Sequence, residues 1–435
     1  MDNYSEIRVP IDKKNPSIKR HNNKCVLCGK CKDICQKQIG VAGYWKYDSE
    51  DIVCINCGQC ANVCPVDAIT EQDDTNALME AINSNKKVVI ITSPSVRVAL
   101  GETAGYPAGE FVQGKMVSAL KQLGADYVFD VTFGADLTIM EEATELIDRI
   151  KNNKTLPQFT SCCPAWVKFV ETFYPKYIPN LSTTKSPISM QASIIRNYFA
   201  PNNKIDPNDL YVVAVTPCVA KKYEVKRPEL SGPYGQDTDL VITTRELGKL
   251  LKRQKINLKK LNDEQFDLAF PAGTGAGMIF GASGGVMEAA VRTAYYLTTG
   301  NNPTDNLLNF TPVRGLKDVK TAKVKLLDTD INLCVIYGTA NARKVLDKLK
   351  TKNYHFIEVM TCPNGCVGGG GQPKQKDNLM AVEARANGLY KQDESMGLKA
   401  SFQNAAVQNV YKQFLGAPGS EKAKKYLHTT FTARK

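Results

Sequence analysis

Nowhere does the sequence hold the roughly 18 or more apolar residues in a row that a membrane span needs. Its first residues, Met1-Asp2-Asn3-Tyr4-Ser5-Glu6, also lack the basic-then-apolar pattern of a secretory leader. The expectation is a soluble cytoplasmic protein with no membrane partner. Histidine is scarce: only His21, His355 and His428 occur, and each reads as a packing or surface residue rather than a ligand. Positive charge is plentiful but unfocused. A formal net charge of +12 raises nucleic acid as a partner. The lysines are scattered, however, and only Lys422, Lys424 and Lys425 cluster. The basicity therefore reads as a solvated surface or as a docking face for an acidic redox protein, not as a nucleic-acid footprint.

What the chain has in quantity is cysteine, 14 in all. In a cytoplasmic-looking sequence that number points to metal rather than disulfides. Cys25-x2-Cys28-x2-Cys31-x3-Cys35 is repeated as Cys54-x2-Cys57-x2-Cys60-x3-Cys64-Pro65, the bacterial two-cluster ferredoxin pattern, in which the fourth cysteine of each run ligates the other cluster. One 4Fe-4S cluster is assigned to Cys25, Cys28, Cys31 and Cys64, the second to Cys54, Cys57, Cys60 and Cys35. Zinc is disfavoured because it takes one closed set of four ligands rather than two interleaved quartets. The first repeat departs from the pattern at Gln36, where a proline would follow.

At 435 residues with 43% hydrophobic content, the chain suggests roughly two to three domains. Residues 1–20 read as an extended lead-in, 21–76 as the ferredoxin-like domain and 77–435 as a larger α/β region. Continuous apolar runs of the buried-strand type lie at Lys86 to Thr92, Asp126 to Val131, Tyr211 to Val215, Leu240 to Thr243, Leu333 to Tyr337 and Phe356 to Val359. Helical patterns alternate with them: Asn76 to Ser84, Lys115 to Leu123 stopped by Gly124, Asp136 to Asn152, and Ile279 to Leu297 after the glycine-rich Gly273 to Gly277. Mixed α/β architecture with two sheet-centred lobes follows. Tyr223 to Thr238 reads as a long surface loop, the chain after Gly388 as helical and polar, and Cys334 as core.

Three further cysteine segments follow apolar runs, where a buried strand would end and where sites form in open α/β sheets. They are Thr160-Ser161-Cys162-Cys163-Pro164-Ala165-Trp166, then Thr216-Pro217-Cys218-Val219-Ala220-Lys221-Lys222-Tyr223-Glu224, and Phe356-Ile357-Glu358-Val359-Met360-Thr361-Cys362-Pro363-Asn364-Gly365-Cys366 with the run Gly368 to Gly371. The last pairs soft ligands with a backbone that can lie close against a bulky inorganic group. In order and nearly complete, the three resemble the signature motifs of the iron-only (FeFe) hydrogenases, over most of the chain from about Lys86 onward. No module precedes Cys25, so the chain resembles the short, two-cluster form.

The resemblance implies an H-cluster: a 4Fe-4S cluster on Cys163, Cys218, Cys362 and Cys366, with the Cys366 thiolate bridging to a diiron unit that bears carbon monoxide, cyanide and an azadithiolate. An arbitrary lysine would be exposed. In this motif Lys221 is expected to donate a charge-assisted hydrogen bond to a cyanide, with Glu224 in the same polar shell. Cys162, a thiol that can exchange a proton near neutral pH, stands beside the cluster. Glu142, Glu145 and Arg149 share one helical stripe that periodicity alone would make a solvated face. By resemblance they form a proton path running Cys162, Glu142, Ser182, Glu145, Arg149, solvent. Ser93, Pro94, Phe280 and Met360 are implied to wall the diiron unit. Two departures stand out: Thr216 replaces the usual methionine, and Ile188 stands where glutamine is frequent. Both change hydrogen bonding near the cluster.

The implied activity is reversible H2 oxidation and proton reduction with ferredoxin or flavodoxin as electron carrier and maturation proteins supplying the diiron unit. The two departures suggest a bias toward uptake. The alternatives are a non-catalytic iron-sulfur sensory or assembly protein on the same scaffold, and the catalytic subunit of an electron-bifurcating, flavin-linked complex.

Overall fold

The computed structural model describes residues 7–44, 52–270, 273–326, 329–375 and 378–434. Residues 1–6 of the expected lead-in lie outside these. The cysteine repeat is also a repeat of backbone geometry. In each copy a left-handed residue stands between the first two cysteines (Leu27, φ 54°; Asn56, φ 64°) and a left-handed glycine follows the second (Gly29 and Gly58, both φ 74°). Each glycine then opens a short helix, Lys30–Lys37 or Gln59–Asn62. Backbone of alternating handedness turns successive N–H groups toward one concave side, which suits an anionic cluster. The Asn56 N–H lies 3.4 Å from Cys54 Sγ. Strands Ile18–Arg20 and Ile69–Glu71 pair antiparallel to close the module, and His21 bonds Thr70 beside them (3.2 Å). The module's core takes in Val219 from the large region. Helix Thr75–Ile82 runs across the expected boundary at residue 76, with Leu78 packed against the next sheet.

That sheet runs Tyr127–Asp130, Lys87–Thr92, Leu210–Thr216, Leu240–Thr243 in spatial order, all parallel. Val88 and Ile90 enter one core and Val89 and Ile91 another, so both faces are covered and the strand reads as an unbroken apolar run. The second sheet runs Val319–Leu326, Thr329–Tyr337, Phe356–Met360, Gln158–Phe159, antiparallel only at its first pair. Cys334 is core, as read, and His355 caps the sheet by accepting from Asn332 N (3.0 Å). Two of these strands escape the apolar-run criterion. Val319–Leu326 is an edge strand that is buried only in part, and two-residue Gln158–Phe159 is too short to carry a pattern.

Helix Val131–Lys151 fills the space between the sheets. Phe133, Leu137 and Met140 pack into the core of the first sheet, and Ala135, Ile139, Ala143 and Leu146 into that of the second. A helix apolar on both sides has little solvent face left. It begins before the expected Asp136 because the Asp130 carboxylate caps it, accepting from Thr132 N (2.9 Å). Arg97 clamps the same carboxylate at 2.6 and 2.9 Å.

Three expected elements differ. The helix read over Ile279 to Leu297 is two, Gly275–Ile279 and Gly285–Thr299. They are separated at Gly284 (φ 98°), where a Cβ would sit 2.0 Å from Val313 O. Tyr223 to Thr238 is a surface loop only in its middle, where residues 231–235 are exposed: Glu224, Arg227, Leu230, Asp237 and Thr238 are buried, with Arg227 gripping Glu171 (2.7 and 3.0 Å) and Lys185 gripping Asp237 (2.7 Å). Its prolines and charges mimic a solvated loop because charges that pair internally look the same in sequence as charges that face water. The last helical stretch starts earlier than Gly388, at Asn378–Ser395. Gly388 lies inside it because a Cβ there would meet Gly109 O at 2.5 Å.

Candidate active site

All three signature motifs leave carboxyl ends of parallel strands, after Phe159, Thr216 and Met360, and meet in the crevice between the sheets. One cavity there is lined by Cys163, Cys218, Cys362 and Cys366 together with Cys162, Lys221, Ser93, Pro94, Thr216, Phe280 and Met360. Ile188 and Thr361 also line it. Every residue expected to ligate the central cluster or enclose the diiron unit is thus in one place. The strand register Tyr337↔Met360 carries Met360 and the cysteine loop after it to this point.

The glycine run works differently from the expectation. A Cβ on Gly368 would lie 2.1 Å from Pro363 O, on Gly369 2.4 Å from Pro217 O, on Gly370 2.4 Å from Cys57 O, and on Gly371 2.6 Å from Thr243 Cβ. Each glycine admits a different neighbouring segment, so the run gathers the second motif, the third motif and the second ferredoxin repeat around one hub. Of the four, only Gly369 also lines the cavity, as Gly365 does before the run. Gln59 Nε2 donates to Gly368 O (2.9 Å), fastening the ferredoxin module to the cradle.

The electrostatics fit a cluster. Burial pushes the thiols of Cys362 and Cys366 well above their ordinary value and that of Cys218 up to about 12, and each thiolate would raise its neighbours further. Four thiolates in one buried hole are untenable alone, and a multiply charged iron-sulfur group is what makes such a donor set stable. The ferredoxin quartets show the same mutual influence: Cys57 and Cys60 are pushed up by burial and by each other's neighbourhood, which includes Cys54, Cys35 and, across the gap, Cys362.

Lys221 lies over the cavity. Its Nζ donates to Glu224 Oε2 (2.6 Å) and to Cys162 O (3.1 Å), and Ser186 Oγ donates to the same Glu224 oxygen (3.0 Å). Burial opposes its charge, but Glu224, Cys218 and Cys162 outweigh burial and hold it above the usual lysine range. Thr216 Oγ1 accepts from Cys218 N at 3.3 Å.

Behind Cys162 the expected relay residues are buried rather than solvated. Glu142 is 1% exposed, Ser182 0% and Arg149 6%. Both Glu142 carboxyl oxygens are buried with no hydrogen-bond partner. Burial first, then Glu145, pushes its acid well above the carboxylate range, and Ser182 nearby offsets this in part. Ser182 Oγ donates to Glu145 Oε2 (2.9 Å), and Arg149 closes on Glu145 Oε1 at 2.6 Å. The Glu145 end opens on a separate cavity that also contains Arg149, Thr183 and His428.

Sequence reasoning missed Glu358. This fully buried carboxyl accepts from Gly284 N (2.6 Å) and Met287 N (2.7 Å), and burial pushes its acid up to about 7. It ties the loop that carries Phe280 to the strand that carries Met360, assisted by Ser283 N donating to Asn364 O (2.9 Å). The available signal was an acid inside an otherwise apolar strand.

Comparison with known proteins agrees with this geometry. Residues 86–370 match the family described as iron only hydrogenase large subunit, C-terminal domain, 379–434 match iron hydrogenase small subunit, and 53–70 match a 4Fe-4S binding domain. The chain is 44% identical to the NADP-reducing hydrogenase subunit HndD of Solidesulfovibrio fructosivorans over 96% of its own length and 75% of that protein. It is 40% identical to iron hydrogenase 1 of Clostridium pasteurianum over 96% of its length and 76% of that protein. Cytosolic iron-sulfur assembly factors are more distant, at 31% for the protein from Danio rerio over 80% of this chain and 87% of that protein. The fold superimposes on a variant of the FeFe hydrogenase HydA1 of Chlamydomonas reinhardtii with a TM-score of 0.75 and 34% identity, covering 83% of this chain and 99% of that one. With the motif cysteines gathered in one crevice and a ferredoxin-like module docked on their cradle, the chain belongs to the iron-only hydrogenases and carries two 4Fe-4S clusters and their H-cluster.

Proposed function

We propose that this hydrogenase catalyses H2 + 2 oxidised ferredoxin = 2 H+ + 2 reduced ferredoxin, with ferredoxin or flavodoxin as carrier, in the cytoplasm, after maturation proteins have supplied the diiron unit. The observation that carries the reading is Glu142: a carboxyl 1% exposed and held neutral by burial, beside Ser182 and between the Cys162 side of the cavity and the Ser182–Glu145–Arg149 chain. A buried acid kept neutral beside a thiol on one side and a hydroxyl–carboxylate chain on the other is placed to pass protons between them.

Cys163, Cys218, Cys362 and Cys366 would hold the H-cluster; the ferredoxin quartets would be Cys25, Cys28, Cys31 and Cys64, and Cys54, Cys57, Cys60 and Cys35. When bound, the H-cluster supplies the site at which H2 is split or formed. The protein's own part is to hold, seal and shuttle. Lys221, kept charged by Glu224, presents an ammonium that anchors an anionic ligand by charge-assisted hydrogen bonding. Ser93, Pro94, Phe280 and Met360 exclude water, which strengthens every interaction inside. The Cys162 thiol exchanges a proton with the Glu142 carboxyl. Glu142 holds that proton as a neutral acid and passes it by way of Ser182 to Glu145, whose ionised form Arg149 stabilises. The ferredoxin-like region ahead of helix Thr75–Ile82 would deliver electrons and the larger region after it would carry this chemistry.

The carrier assignment draws support from the net charge of +12, which favours acidic redox proteins. Rates with reduced ferredoxin and with NADPH on the isolated chain separate this from the flavin-linked bifurcating subunit. Thr216 taking the Cys218 N–H, and Ile188 in the wall, motivate a bias toward H2 oxidation. Film voltammetry in which proton reduction outruns oxidation at equal driving force would count against it. The non-catalytic assembly or sensory reading is disfavoured by the joint presence of Cys162, Glu142, Ser182, Glu145, Arg149 and Lys221. Anaerobic H2 uptake and evolution by matured protein, with infrared bands of bound carbon monoxide and cyanide, test the whole. Protein with those bands and no turnover in either direction would refute it.

A further inference from the structure

The outer end of the relay cannot be Arg149. Its Nε and Nη2 donate to Glu145 Oε1 (3.1 and 2.6 Å), Nη2 also to Leu181 O (2.9 Å), and Nη1 to Thr155 O and Pro179 O (3.1 Å each). A guanidinium keeps its protons at any working pH, so Arg149 orients Glu145 and a proton must leave Glu145 by its other oxygen. That oxygen, Oε2, accepts from Thr183 Oγ1 (3.2 Å), and Thr183 Oγ1 lies 2.7 Å from His428 Nδ1. On the opposite side of the ring, His428 Nε2 lies 2.9 Å from Glu141 Oε2.

Glu141 is itself fixed. It is 1% exposed, Tyr411 OH donates to Oε1 (2.5 Å) and Gly419 N to Oε2 (2.8 Å). A carboxylate pinned in this way takes the Nε2–H and leaves Nδ1 as the exchanging nitrogen, turned toward Thr183. His428, Glu145, Thr183, Asp148 and Lys424 all border an open cavity of about 750 Å³.

We propose that His428, oriented by Glu141, is the terminal proton-exchange residue, trading protons between Glu145 and solvent through the Thr183 hydroxyl; this rests on the relay reading above. Outward, the proton on Glu145 Oε2 passes to Thr183 Oγ1 as the Thr183 hydroxyl proton passes to His428 Nδ1. One O–H bond forms and one breaks at Thr183, and no electrons are transferred. The imidazolium faces the Glu141 carboxylate until it releases a proton to water in the cavity. Inward transfer reverses each step. His428 also ends the helix Glu421–Leu427, so the C-terminal segment brings the exchanging group to the relay.

The test uses matured holoenzyme with infrared bands and iron content equal to the parent. His428→Ala is expected to lower turnover in both directions by at least about tenfold, with a raised solvent deuterium isotope effect, and added imidazole should restore it through the open cavity. His428→Gln, which can keep one hydrogen bond of the ring but cannot exchange a proton, should melt near the parent temperature and remain slow. Thr183→Val should be slow and unresponsive to imidazole, as should Glu142→Gln, which lies inward of the exchange. Parent turnover in His428→Ala or His428→Gln beside an inactive Glu142→Gln would overturn the assignment while sparing the relay. A loss in His428→Ala that imidazole leaves unchanged would mark the ring as structural and overturn it too. Full turnover in Glu142→Gln would overturn the relay and this inference together.

Discussion

Glu142→Gln isolates the proton route from the rest of the enzyme. The native carboxyl is buried, and burial first and then Glu145 hold it neutral well above the carboxylate range. Glutamine therefore replaces a neutral group by a neutral group of nearly the same volume, so below the unfolded carboxylate value near about 4.3, where both states hold the proton, stability should change by less than about 1 kcal/mol. What is lost is the ability to accept a proton on one side and release it on the other. General acid–base transfer contributes about 10²- to 10⁴-fold, or about 3–6 kcal/mol in barrier at about 1.4 kcal/mol per decade. Turnover should fall by that factor in both directions while infrared bands, iron content and reduction of the ferredoxin-type clusters stay as in the parent. The sign of the pH effect follows from the same observation. The folded state holds the proton to higher pH than the unfolded chain, so the parent loses stability as pH rises above the unfolded carboxylate value near about 4.3. The variant escapes that loss, so its stability relative to the parent should increase with pH. Turnover within about twofold of the parent would refute the relay role, because no hydrogen bond of glutamine substitutes for proton transfer.

Glu358, pushed up to about 7, obeys the same sign: between the ordinary carboxylate value and about 7 it costs the folded protein stability as pH rises. Denaturant titrations over that window should show a flatter slope for Glu358→Gln; an unchanged slope would contradict its burial as an acid. Gly370→Ala places a Cβ 2.4 Å from the Cys57 carbonyl oxygen, a backbone atom that cannot step aside. It should cost about 1–3 kcal/mol and slow electron delivery from reduced ferredoxin, while a small-molecule reductant acting at the H-cluster is less affected. Equal rates with both reductants would dismiss the hub. Arg97→Leu leaves Asp130 buried and unpaired where both side chains are 0% exposed, so the melting midpoint should drop with a loss of about 3–5 kcal/mol; a drop under about 1 kcal/mol would show that the cap alone suffices.

Legibility varied with the range of the interaction. The parallel strands were readable because two-sided burial writes an unbroken apolar run, as in Lys87–Thr92. Edge strand Val319–Leu326 was not, since one face of it is wet. The ligand cysteines declared themselves by spacing, which local backbone geometry enforces through Leu27, Gly29, Asn56 and Gly58. Glu142 and Arg149 looked like solvated charges because periodicity counts faces without knowing what packs on them. Glu358 was signalled only by being an acid inside an otherwise apolar strand, the Thr183–His428 contact gave no local signal at all, and His428 read as structural.

By itself, then, the amino-acid order settled the chemistry: soft ligands at cluster spacing, a lysine and a second cysteine beside them, and the α/β class, all properties of neighbours within a few residues along the chain. Only the tertiary structure decided which charges are dry, why the glycines are glycines, and which residues stand where the proposed relay would meet solvent. Those depend on segments as distant as Cys57 and Gly370, or Thr183 and His428, and burial and proton transfer are set by what folding brings together across space.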